Sequence, residues 1–93
     1  MPGVAAYQVD VRPRARRSLR QLDPSARKAI GQVIDGLATD PRPAGVVALT
    51  GHRPYLGMRS GDYRVIYTVD DHARAVTVAA VGHRREIYRN LVL

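Results

Sequence analysis

The sequence predicts an α+β fold: an N-terminal strand, a two-helix antiparallel hairpin, then a three-stranded antiparallel meander completing one small sheet. Three observations predict it. A period-two pattern opens the chain from Ala5 to Val11, two segments of helical spacing lie between Pro13 and Leu37, and three alternating segments joined by tight turns run from Tyr55 to Val81. Strands joined that tightly can pair only antiparallel. Helices joined by a tight turn form a hairpin that must bury its apolar stripe on one face of the sheet. At 93 residues the chain (1–93) has the length of a single domain with one modest core.

In the first strand Ala5, Tyr7, Val9 and Val11 alternate with Ala6, Gln8 and Asp10. Pro13 then stands where a first helical turn tolerates it, and Ala15, Leu19 and Leu22 recur at helical spacing. Arg14, Arg16, Arg17 and Arg20 take the outer surface of this helix, where they are placed to contact an acidic partner or RNA backbone; taken singly, each reads as a solvated position. Asp23-Pro24 starts the second helix, with an N-cap carboxylate before a proline whose missing N–H is no loss there. Its stripe is Ala26, Ile30, Val33, Ile34 and Leu37, and Asp40-Pro41 ends it. Gly31 and Gly36 each weaken it by roughly 1 kcal/mol relative to alanine, so packing must compensate. Residues 42–54, with Pro43, Gly45, Gly51 and Pro54, read as a loop anchored by Leu49. The meander follows as Tyr55 to Arg59, a Ser60-Gly61-Asp62 turn, Tyr63 to Val69, an Asp70-Asp71-His72 turn, and Ala75 to Val81. Gly82 breaks the alternation, and His83 to Arg89 leaves the sheet as a turn or short helix tethered by Ile87, Leu91 and Leu93.

The charge is lopsided. Fifteen Lys and Arg against eight Asp and Glu give a net +7, and Lys28 is the one cation that is not arginine. The guanidinium fork grips phosphate or carboxylate at two points, so this balance favours nucleic acid or an acidic protein partner. No cysteine is present, which excludes disulfides and thiolate metal sites, and the histidine spacing suggests no metal. No apolar run approaches about 18 residues and no signal-peptide pattern opens the chain, which predicts a soluble cytoplasmic protein without a membrane partner.

The middle strand of the meander focuses the charge. Tyr63, Val65, Tyr67 and Val69 form its core-type set, and Arg64, Ile66 and Thr68 the other. An unpaired arginine cannot be buried cheaply, so Arg64 must face water or an anion. Arg59 precedes the turn, and Arg84, Arg85 and Arg89 follow the last strand, with only Asp62 and Glu86 among them. That is a surface suited to phosphate. Arg53 and His52 fall near it at the end of the long loop, and in the absence of Trp and Phe the five tyrosines are left to stack on bases.

The element order, with Leu49-x-Gly51, Gly61-Asp62-Tyr63-Arg64-Val65-Ile66-Tyr67 and Val81-Gly82-His83-Arg84-Arg85-x-x-Tyr88, resembles the RelE/ParE toxin superfamily from about Tyr7 to Arg89. The resemblance implies a toxin of a bacterial toxin–antitoxin pair, bound and neutralised by a cognate antitoxin. Its RelE-like branch cuts mRNA on the ribosome without metal or other cofactor; its ParE-like branch poisons DNA gyrase. A third possibility is a member that mainly binds its antitoxin. Residue by residue, the nuclease positions fall on Arg64, Arg84 and Tyr88. Two lysines of the best-known nucleases fall instead on Tyr55 and Gly57.

Metal-free RNA cleavage attacks the phosphate with the neighbouring 2′-OH, and the extra negative charge of the phosphorane must be held by fixed cations. Arg64 and Arg84 are the candidates for that task, with Arg59, Arg85 and Arg53 holding flanking RNA. A tyrosine phenol keeps its proton at neutral pH, which suits Tyr88 to the acid or a stacking role. Histidine ordinarily changes charge near neutrality, so His83, beside the cluster, is a candidate base in place of a missing lysine.

Overall fold

The computed structural model describes residues 6–89. The elements in chain order are β1 (Gln8–Val11), α1 (Pro13–Gln21), α2 (Pro24–Gly36), β2 (Val47–Ala48), β3 (Leu56–Ser60), β4 (Tyr63–Asp70) and β5 (Ala75–His83). The strands form one sheet in the order β1-β5-β4-β3-β2. β1 runs parallel to β5, and the other neighbours are antiparallel. The α+β class, the hairpin of helices and the meander are as expected; Ala5, Leu91 and Leu93 lie outside the described residues.

The two sheet faces are built differently. Ala15 of α1 and Ile30, Ile34 and Leu37 of the α2 segment pack on Val65, Tyr67, Val76, Val78 and Val81 to make the main core. The opposite face carries a smaller cluster of Leu49, Ile66, Ala80 and Ile87. Both helices therefore cover one face and leave the other for Arg64, Ile66 and Thr68, as the alternation in β4 requires. No helix among the described residues is long and apolar enough to cross a membrane.

The helix junction departs from expectation. Asp23 is the N-cap of α2 and its backbone carbonyl accepts the Arg27 N–H at 2.9 Å, but its carboxylate makes no capping hydrogen bond. Arg27 secures the junction instead, donating Nε–H to the Leu19 carbonyl at 3.3 Å and Nη2–H to that of Leu22 at 2.9 Å. The Leu22 carbonyl is one that the end of α1 leaves over, while that of Leu19 also accepts the Leu22 N–H at 3.2 Å.

Two further corrections concern the sheet. The expected loop of residues 42–54 contains a short edge strand, β2, because Val47 and Ala48 pair with Gly57 and Leu56. Gly82 does not end β5, which continues to His83; Gly82 pairs with Arg64, and its missing side chain leaves room for Ile87 to fold back. A Cβ built there would lie 3.5 Å from Ile87, ordinary contact distance. The irregularity sits earlier. Tyr67 pairs with Val78 and Ile66 with Ala80, so Ala79 is a β-bulge residue without a partner.

Polar contacts tie the far end of the sheet. The Tyr67 phenol, fully buried, donates to the Pro41 carbonyl at 2.7 Å, and burial pushes its pKa up to about 12. Tyr7 donates to Asp71 Oδ1 at 2.6 Å, and Arg42 grips the same carboxylate at 2.9 and 3.0 Å. Its hydrogen bond with Arg42, then that with Tyr7, holds the Asp71 carboxyl below the usual carboxylate range. Arg74, at φ 55°, lays its guanidinium 5.2 Å over the Tyr7 ring.

Candidate nucleic-acid interface

The β3–β4 hairpin positions the cluster. Ser60 pairs with Tyr63 across a two-residue turn, and Gly61, first of the two, takes a φ of +58° that strongly favours glycine. The register then sets Arg59 opposite Arg64, and Arg64 opposite Gly82 on the other side. Two guanidiniums side by side on neighbouring strands repel unless an anion lies between or above them.

Arg64 is half-buried. Its Nε lies under the surface and has no hydrogen-bond partner, and its guanidinium carbon sits 5.9 Å over the ring of Tyr88. The aromatic face favours the cation and fixes its direction without using its N–H groups. Tyr88 itself is exposed and, with Val47, Ala48, Leu49, Thr50 and His52, lines an open recess of about 410 Å³.

Arg84 is held to the hairpin turn. Its backbone N–H donates to the Asp62 carbonyl at 2.7 Å, and its Nε lies 3.6 Å from Asp62 Oδ1. Both side chains of this ion pair are well exposed, so it contributes about 0–1 kcal/mol and yields readily to a stronger anion. His83 pairs with Tyr63, their rings meeting edge to face at 5.7 Å, and its Nδ1 accepts the Arg85 N–H at 3.1 Å. A neutral imidazole has one lone pair, and here it is taken. To act as a base through Nδ1, His83 must first release the Arg85 N–H.

The structure thus brings Arg59, Arg64 and Tyr88 to one end of one face, with Arg84 held at the adjoining turn, whereas His83, paired with Tyr63, stands on the opposite, helix-side face. Arg53 is exposed in the loop beside His52, and no hydrogen bond or ion pair among the described residues ties the Arg53 or Arg85 side chain to the cluster. At Gly57, one of the two positions where the resemblance leads one to expect a lysine, a Cβ would come within 3.1 Å of Leu49 Cδ1. A second basic feature was read from the sequence only as an outer helix face. Arg12, Arg14 and Arg17, with Tyr55, Thr68 and Thr77, line a cavity of about 510 Å³ between the start of α1 and the sheet. The run Arg-Pro-Arg-Ala-Arg-Arg from Arg12 was its signal, but only the register of β4 with β5 shows that two threonines lie opposite.

Residues 9–88 match the family model described as ParE toxin of type II toxin-antitoxin system, parDE. The chain belongs to this family. It is a toxin of the RelE/ParE superfamily, from a type II toxin–antitoxin system. Toxin RelG of Mycobacterium tuberculosis is 32% identical over 84 residues, covering 89% of this chain and 97% of that one. The RelBE toxin–antitoxin complex of Escherichia coli contains a chain 30% identical with a TM-score of 0.70, over 84% of this chain and 96% of that. The archaeal RelE–RelB complex of Pyrococcus horikoshii gives 25% identity and a TM-score of 0.75, over 85% and 96%. Within the RelE/ParE family, the matched residues 9–88 take in both helices and nearly all of the sheet.

Proposed function

We propose that this toxin is a ribosome-dependent mRNA endoribonuclease of the cytoplasm, held inactive by a cognate antitoxin. One observation carries the reading: Arg64 has a buried Nε–H without a partner, and its guanidinium is pinned over Tyr88 beside Arg59 and Arg84. A phosphate oxygen is the acceptor that such a donor lacks. The relatives named above are RelE-type toxins, and none of them is named for gyrase.

In the reaction the message's own 2′-OH attacks the adjacent phosphate and gives its proton to solvent water, and the bond to the leaving 5′-oxygen breaks to give a cyclic phosphate. Arg64 stabilises the charge that develops on the phosphorane. Arg84 exchanges Asp62 for a phosphate oxygen, and Arg59 holds the flanking phosphate. Tyr88 supplies the proton to the leaving oxygen or stacks on the splayed base. Arg85 and Arg53 contribute charge at the rim, and His83, on the Tyr63 side of β5, holds the Arg85 backbone in place. The antitoxin, acidic where it meets this face, masks the same cations.

The test is a primer-extension map of a reporter message translated in vitro with the purified toxin. Cuts at fixed positions within codons, only on translated message and absent with the Arg64→Ala/Arg84→Ala variant, are expected. An uncut message with translation undisturbed would remove the reading.

A further inference from the structure

We infer that the cavity between the start of α1 and the sheet is a second RNA subsite, holding a nucleotide of the strand whose scissile phosphate lies at Arg64; this rests on the nuclease reading above. At about 510 Å³ it falls within the roughly 300–1,000 Å³ of sites that enclose small ligands. Arg12, Arg14 and Arg17 supply its cations, and no residue lining it is acidic. Arg14 and Arg17, three apart on a helix, share a side. Among the described residues none of the three guanidiniums makes a hydrogen bond or ion pair; the neighbouring Arg16 is the one turned inward, to the Val11 carbonyl at 2.9 Å. Three unpaired cations around one concavity repel each other, and a polyanion relieves that repulsion.

The rest of the lining selects RNA over an acidic peptide. Thr68 and Thr77 pair directly across β4 and β5 and offer hydroxyls suited to phosphate and ribose oxygens, and Tyr55 offers a ring face for a base. The cavity is also in line with the cluster. Thr68 and Arg64 lie on the same face of one strand, four residues or about 14 Å apart. A strand anchored at Arg64 and following β4 reaches the cavity within a few nucleotides.

The experiment measures binding of a short labelled single-stranded RNA, and separately of polyglutamate, to the purified toxin across a salt series. Arg14→Ala/Arg17→Ala is compared with Arg20→Ala/Lys28→Ala, which removes two exposed charges that do not line the cavity. The cavity double should weaken RNA about tenfold or more and flatten the salt slope by about 1.4, two phosphates' worth on a single strand, while the control stays within about twofold. Thr68→Val should weaken RNA with the slope unchanged. Equal losses in both doubles would overturn the subsite, as would loss of polyglutamate with RNA binding intact, which assigns the cavity to an acidic protein. Cavity-dependent RNA binding by a toxin that leaves translated message uncut would keep the subsite and discard the nuclease.

Discussion

Arg64 shows how one side chain is made ready for an anion. Its neighbours across the strands are another arginine and a glycine, its stacking partner is a ring, and nothing satisfies its Nε–H. Removing a donor aimed at developing charge costs on the order of 10²–10³ in rate, so Arg64→Ala should lose that much cleavage in the translation assay with its melting temperature nearly unchanged. Tyr67 makes the contrasting case of a polar group committed to the fold. Tyr67→Phe strands the Pro41 carbonyl and should cost about 1–3 kcal/mol in urea unfolding at neutral pH. The raised pKa adds a pH signature. Between the ordinary 10.0 and about 12 the unfolded phenol ionises while the folded one keeps its proton, so stability complete below pH 10 is lost as pH rises through that window. In the Phe variant that part of the alkaline loss should disappear from the unfolding midpoints. Neither role was equally visible beforehand. Arg64 announced itself as a charge in an apolar alternation, whereas Tyr67 read only as core, because its partner is a backbone carbonyl twenty-six residues away.

At the scale of elements, β3 is closely packed at Gly57. Leu49 and Val47 close over Gly57, and a side chain there must push Leu49 aside. Gly57→Ala should therefore cost roughly 1–3 kcal/mol by overpacking, and adding Leu49→Val should recover part of it, a non-additivity that a double-mutant cycle measures directly. The helices, the meander and the β3–β4 turn were legible because each rests on local signals: proline at N1, apolar spacing, and glycine where φ turns positive. β2 was not, since two residues carry no periodicity and become a strand only by pairing with β3. The end of β5 was misplaced for a related reason. Gly82 looks like a stop in isolation, but it pairs with Arg64 within the ladder and packs beneath Ile87. The Arg64 face was legible in the sequence; the cavity was not, because its walls come from α1, β4 and β5 together.

Over the whole molecule the +7 charge is distributed with a purpose that follows from the architecture. The helices take one face, so the other is left for the cations of the hairpin and of the α1 start. At the far end, cations are instead consumed internally, Arg42 by Asp71 and Arg74 by the Tyr7 ring. That clamp joins the start of β1, the segment after α2 and the β4–β5 turn, and it carries its own pH dependence. The folded Asp71 pKa is lowered, so the clamp's stabilisation is present above the ordinary carboxylate pKa and lost as pH falls through the folded value. Asp71→Asn should lower the melting temperature at neutral pH and bring the two proteins together in acid, which melting curves across that range would show.

The bulge at Ala79 has a further consequence. Were β5 paired without it from Ala75 onward, Val81 would stand opposite Arg64 and Gly82 would turn toward the helices; the extra residue shifts the phase of the strand by one. Ala79 itself belongs to the wall of the cavity rather than to either core. Deleting it should let Val78 and Ala80 close into an unbroken ladder, with Gly82 still facing Arg64 and the cavity reshaped. A single deletion would then uncouple the two ends of the toxin's basic face, sparing the Arg64 cluster while altering the cavity.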